Sequence, residues 1–179
     1  MPSFSPARPA ASEYYSFYQP YITAAPDGDL LTALRDQRDS TTAVLAGISD
    51  TQAGFRYAEG KWSIREVVGH VSDVERVFSC RALRIARGDT IDLPGFDENV
   101  WVPMAGFEAR SMADVATEFR AVREATLALF GSFSAEAWLR IGSASGHPAS
   151  ARALGWIVAG HELHHHRVLA ERYFPHLKP

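Results

Sequence analysis

A chain of 179 residues, 46% apolar and 22% charged, is long enough to bury one sizeable core and has the composition of an ordinary globular domain. Its formal charge of -3 argues against a role built on nucleic-acid phosphates or anionic lipid. The single cysteine, Cys80, excludes an intramolecular disulfide and a cysteine-based zinc knuckle, and suits a reducing, cytoplasmic setting. No run approaches the roughly 18 to 20 apolar residues of a membrane span, so neither nucleic acid nor membrane is expected as a partner. Lysine occurs only at Lys61 and Lys178 in an arginine-rich chain.

Met1 to Ser12 is rich in Pro, Ala and Ser, lacks the charged and apolar blocks of a signal peptide, and reads as a loose arm. A short aromatic segment, Tyr14 to Tyr21, follows, so residues 1–28 are taken as the arm and 29–179 as the domain. Four longer segments carry helical periodicity. The first runs from about Asp29 to Ile48, with Leu30, Leu31, Leu34, Val44 and Leu45 among its apolar positions. The second opens at the capping box Ser63-Ile64-Arg65-Glu66, with Trp62 placed to staple against Val67, and stops at Gly88. The third starts at Ser111-Met112-Ala113-Asp114 and ends near Phe130, where Gly131 can adopt the left-handed conformation. The last begins near Ser150 and continues to about Phe174, closed by Pro175.

The links carry turn chemistry and no alternating strand pattern, so an all-α fold is expected. Two connections are long: Gly88 to Arg110, with the aromatic run Leu93-Pro94-Gly95-Phe96-Asp97-Glu98-Asn99-Val100-Trp101, and Gly131 to Ala149, with a helix-like stretch Ser134 to Leu139. Loops so unequal predict a four-helix bundle with at least one long crossover.

Chemistry concentrates in His161-Glu162-Leu163-His164-His165. Leu154, Ile157, His165 and Val168 all lie within about 40° of His161 at 100° per residue, so two imidazoles point the same way from the apolar stripe of the last helix. Buried imidazoles need partners for both ring nitrogens, and a metal supplies one. The five letters also satisfy the H-E-x-x-H pattern of zinc peptidases, with Glu162 as general base. Against that reading, the following residues lack the metzincin continuation, and no strand is evident to hold a peptide.

A third ligand must come from upstream. His147 lies in a Gly/Pro/Ser loop and His176 in the tail, whereas His70 lies in the second helix on the flank of its stripe, so a facing helix brings one ring opposite an i, i+4 pair. His70, His161 and His165 are therefore the expected ligands, suiting Zn²⁺, Ni²⁺, Fe²⁺ or Mn²⁺ and lowering the pKa of water or an incoming thiol. Glu66, Asp73 and Glu162 are the candidates for orienting these rings. His164 and His166 carry no assigned role, and no acid or base has an address in the sequence.

The run Tyr57 to Arg76, containing Trp62-Ser63-Ile64-Arg65-Glu66-Val67-Val68-Gly69-His70, then Arg81 to Asp89, and the ending Ala159 to His166 resemble the DinB-like (DinB/YfiT) superfamily of metalloenzymes. The resemblance spans roughly Leu30 to Phe174, and Leu93 to Asn99 resembles a loop recurring in one large branch, expected at the mouth of the site. It implies an up-down-down-up four-helix bundle, often a homodimer, with nickel or zinc held by one histidine of the second helix and two of the fourth. Matched residue by residue, these are His70, His161 and His165. The implied chemistry is transfer of a low-molecular-weight thiol to a small electrophile. A metal-dependent hydrolase, or a non-catalytic, metal-stabilised dimer that binds a small molecule, are the alternatives.

Overall fold

Side-chain oxygens begin every long helix. In a computed structural model describing residues 5–177, Asp29, Ser63, Ser111 and Ser150 each accept a hydrogen bond from a backbone N–H three residues on. Each satisfies a donor the first turn leaves free, worth about 1 kcal/mol. At Ser63 the box closes reciprocally, with Glu66 accepting from the Ser63 backbone N–H at 2.8 Å.

In chain order the helices are α1 (Gln19–Ala24), α2 (Leu30–Ala46), α3 (Asp50–Ala53), α4 (Ile64–Ala86), α5 (Glu98–Met104), α6 (Met112–Gly131), α7 (Ala135–Leu139) and α8 (Ala151–Arg172). The bundle consists of α2, α4, α6 and α8. Both α2 and α4 pack against α6 and α8, so α2 and α4 lie across a diagonal of the bundle and the chain between them crosses its end.

Two apolar clusters fill the bundle. One gathers Leu30, Leu34, Phe78, Phe130, Trp138 and Trp156; the other gathers Leu45, Val67, Val68, Phe119, Leu169 and Tyr173. On each long helix a buried polar residue stands close to where one cluster gives way to the other: Gln37, Glu75, Arg123 and Glu162. A polar layer therefore divides the core.

The chain is mostly helical, as expected, and two details of that expectation are corrected. A small sheet is present, with β1 (Asp92–Leu93) parallel to β2 (Ile141–Ala144) and β2 antiparallel to β3 (His147–Ser150). The hairpin turns through Ser145 and Gly146, both at positive φ (56° and 75°), as a two-residue primed turn requires. Strands of two to four residues are too short to display alternation, so they left no pattern to read. His147 accordingly belongs to a strand, with its ring stacked on Tyr15 at 3.8 Å.

Of the arm expected to be loose, Met1 to Phe4 lies outside the described residues, and the rest is packed. Arg8 donates to the carbonyls of Ile22 and Ala25 and lies over the Trp156 ring at 4.7 Å. Glu13 is clamped by Arg152, whose Nε donates at 2.7 Å. The long connection from Gly88 to Arg110 contains α5, started by Asp97, which accepts from Asn99 N–H at 2.9 Å.

Candidate metal centre

His70 lies in α4, and His161 and His165 lie one turn apart on α8, the helix facing it. One ligand atom from each of the three lies within 4.8 Å of the others. The Nε2 atoms of His161 and His165 are 3.1 Å apart, close to the roughly 3.3 Å expected for two nitrogens on one tetrahedral ion with bonds of about 2.0–2.1 Å. His70 and His161 are buried and His165 is half-buried.

Burial disfavours the imidazolium form of all three. His70 is lowered to about 4 by desolvation with help from His164, and His165 to about 3 by desolvation and then His70 and His164. His161 lies well below the ordinary histidine value, by burial first and then its three neighbours. Neutral imidazole is the form a metal ligand must take. The donor set, its spacing and its protonation state all fit a divalent ion.

Packing of α1 on α8 builds one wall of the site. At Gly160 an added Cβ would sit 1.9 Å from the Tyr21 carbonyl oxygen, so the two backbones touch and only glycine fits. That approach sets the Tyr21 ring edge-on to His161 at 5.4 Å and to His164 at 5.5 Å. On the other side Trp62, just before α4, lies 4.8 Å from His70, its carbonyl accepting from the Tyr173 hydroxyl at 2.8 Å.

Two cavities meet at these rings, both lined by Trp62, His164 and His165. The first, about 190 Å³, also includes His70, His161, Tyr18, Tyr21, Phe96 and Glu98. The second, about 260 Å³, includes Tyr57, Lys61, Asn99 and Tyr173. The loop Leu93 to Asn99 thus reaches the site through Phe96, Glu98 and Asn99.

The carboxylates expected to orient the rings are engaged elsewhere. Glu162 accepts from Thr41 Oγ1 at 2.6 Å and from Arg123 Nη2 at 2.6 Å. Arg123, fully buried, also donates to both oxygens of Glu75 at 2.8 Å and to the Leu34 carbonyl at 3.0 Å. Glu66 is held by Ser63 N–H and Arg56, and Asp73 by Arg76. Among the described residues, none of these carboxylates bonds a histidine ring. A Glu162 locked in this way has no free oxygen to act as a peptidase base, which removes the H-E-x-x-H reading. His176 lies apart from the site, beside Phe55 at 6.2 Å.

The sequence pattern of the DinB superfamily matches residues 33–169. The chain belongs to the DinB superfamily. A relative from Geobacillus thermodenitrificans (strain NG80-2), named "Putative metal-dependent hydrolase", is 35% identical over 86 residues, which cover 46% of this chain. The match spans 45% of that relative's length. YfiT from Bacillus subtilis, described as a probable metal-dependent hydrolase with an unusual four-helix bundle topology, superposes with a TM-score of 0.64 at 17% identity, over 95% of this chain and 93% of its own. A mycothiol-dependent maleylpyruvate isomerase superposes with a TM-score of 0.63 at 15% identity, over 76% of this chain and 57% of its own. At such identities the structural likenesses establish the shared four-helix fold. Among the described residues no helix is long and apolar enough to cross a membrane.

Sequence reasoning missed His164, Trp62, Lys61 and the aromatic residues of the N-terminal segment as parts of the site. The one available signal was the aromatic density of Tyr14 to Tyr21, which is high for a connecting arm.

Proposed function

We propose that this DinB-superfamily chain is a divalent-metal-dependent enzyme that hydrolyses a small organic substrate, with the ion held by His70, His161 and His165. The observation that carries this reading is the convergence of three neutral imidazoles, two buried and one half-buried, within 4.8 Å where two cavities meet. The names of the Geobacillus relative and of YfiT support it. Nickel or zinc suits such a nitrogen donor set, with iron or manganese also compatible, and the bound ion supplies a Lewis acid that lowers the pKa of water or of a thiol.

The chain's own residues do the rest. Trp62 and Tyr21 pack on the rings and fix their orientation. The aromatic wall of α1 narrows access and limits water, which strengthens electrostatic interactions inside. Two wall groups can exchange a proton with a bound molecule: the Glu98 carboxylate and His164, which burial and then Arg167 keep below the ordinary histidine value. Thiol transfer is the second reading, favoured by the paired cavities, which offer room for two reactants, and by the fold shared with a mycothiol-dependent isomerase.

Elemental analysis of the purified chain and of His165→Ala tests the centre. About one equivalent per wild-type chain and loss in the variant are expected; equal content overturns the assignment. At 100 times the dissociation constant the metal adds about 2.7 kcal/mol, or roughly 5–10 °C in melting temperature for a domain of this size. Chelation should reverse that gain. Assays with p-nitrophenyl esters, and with thiols plus 1-chloro-2,4-dinitrobenzene, then separate hydrolysis from transfer; rates equal to those of a triple-histidine variant in both would leave a non-catalytic metal protein.

A further inference from the structure

Lys61 is the only lysine among the described residues of a chain whose other cations there are arginines, and it lines the second cavity beside the histidines. Its ammonium has no hydrogen bond or ion pair among the described residues. Among the described residues, two further donor-bearing groups on the same walls, the Asn99 amide and the Tyr57 hydroxyl, also have no partner, and no carboxylate lines this cavity. The Arg172 guanidinium lies 5.7 Å from the Tyr57 ring centroid, likewise without an acidic partner among the described residues. The cavity therefore presents hydrogen-bond donors and positive charge that no described residue receives.

The first cavity has the opposite character. Beside the histidines its walls carry aromatic rings and one carboxylate, Glu98, which has no hydrogen bond or ion pair among the described residues. Away from the histidines, Glu98 disfavours an anionic group on that wall, whereas the aromatic rings accept a planar apolar body. Trp62, His164 and His165 belong to both cavities, so a ligand reaching from one to the other passes the histidine cluster.

We propose that the second cavity is an anion-recognition subsite, with Lys61 as its anchor and Asn99 and Tyr57 as supporting donors. Its ligand is an amphipathic organic anion, with a planar apolar body in the aromatic cavity and a carboxylate or phosphate at Lys61. This names a substrate class for the proposed enzyme. The placement of the reacting end between the two cavities rests on the three-histidine reading, while the charge preference at Lys61 does not.

Calorimetric titration of the full chain, metal-loaded and chelator-treated, with phenylacetate, phenyl phosphate and neutral phenylacetamide tests the subsite. Phenylacetate or phenyl phosphate should bind at least tenfold more tightly than phenylacetamide in both forms, and whichever is tighter identifies the anionic group. That preference should weaken with added salt, disappear in Lys61→Met and persist in Lys61→Arg. Lys61 is exposed, so these variants should fold normally, and a thermal melt checks this. Equal affinity for anion and amide, a preference unchanged in Lys61→Met, or no binding by about 10 mM overturns the proposal. Anion binding that vanishes on chelation but survives Lys61→Met places the anion at the histidines, overturning the subsite while leaving the metal centre intact. Loss of the metal assignment through His165→Ala, with the Lys61-dependent preference intact, has the reverse meaning.

Discussion

Glu162 is next to His161 in the chain and turned away from it in space, because successive residues on a helix are rotated by 100°. That rotation sends its carboxylate into the bundle, to Arg123 and Thr41. One guanidinium thereby serves two buried carboxylates, Glu75 and Glu162, from two different helices. Replacing Arg123 with methionine leaves both acids buried without their cation, and urea denaturation should show a loss of about 3–5 kcal/mol. A loss below 1 kcal/mol would mean that the charges do not hold this layer together. Glu162→Gln keeps the acceptor for Thr41 and should retain wild-type metal content, since no imidazole depends on that carboxylate.

At the scale of elements, the contact between α1 and α8 decides what the site looks like. The six residues of α1 are too few for a stable isolated helix; they persist because their backbone lies directly on Gly160. A Cβ at that position has no space, so Gly160→Ala should cost about 3 kcal/mol or more. Limited proteolysis should then cut faster within residues 14–25 while the long helices stay protected, and unchanged cleavage would show that α1 tolerates the shift. The long helices were legible because periodicity, the Ser63 capping box and the Ser150 cap are all local signals. The placement of α1 was not legible, since its partner lies more than a hundred residues away. The small sheet was missed because β2 and β3 have too few residues to alternate, and β1 is defined only by its pairing with β2 some fifty residues on.

For the whole molecule, the N-terminal segment is a clasp across the bundle. Glu13, on that segment, is held down to about 2 from 4.5, chiefly by its hydrogen bond from Arg152 near the start of α8, against the opposing effect of burial. A folded-state pKa below the unfolded one stabilises the fold above the unfolded value and loses that contribution as pH falls toward the folded value. Wild type should therefore exceed Glu13→Gln by about 1–2 kcal/mol at pH 7. The gap should close between about pH 4.5 and pH 2. Denaturation curves at several pH values check this, and a gap that widens on acidification would contradict the clasp.

Read alone, the sequence determined the helical class, the starts of the long helices and the pairing of His161 with His165, because each is written within a turn or two of chain. It also singled out His70 over His147 and His176 by its place in a periodic helix. Tertiary structure decided which carboxylates are free and which are locked by arginine, which aromatic rings enclose the histidines, and that Lys61 and Glu98 line separate cavities. Those outcomes depend on side chains brought together from α1, α4, α5, α6 and α8, and no local pattern encodes a contact whose two halves lie on different helices.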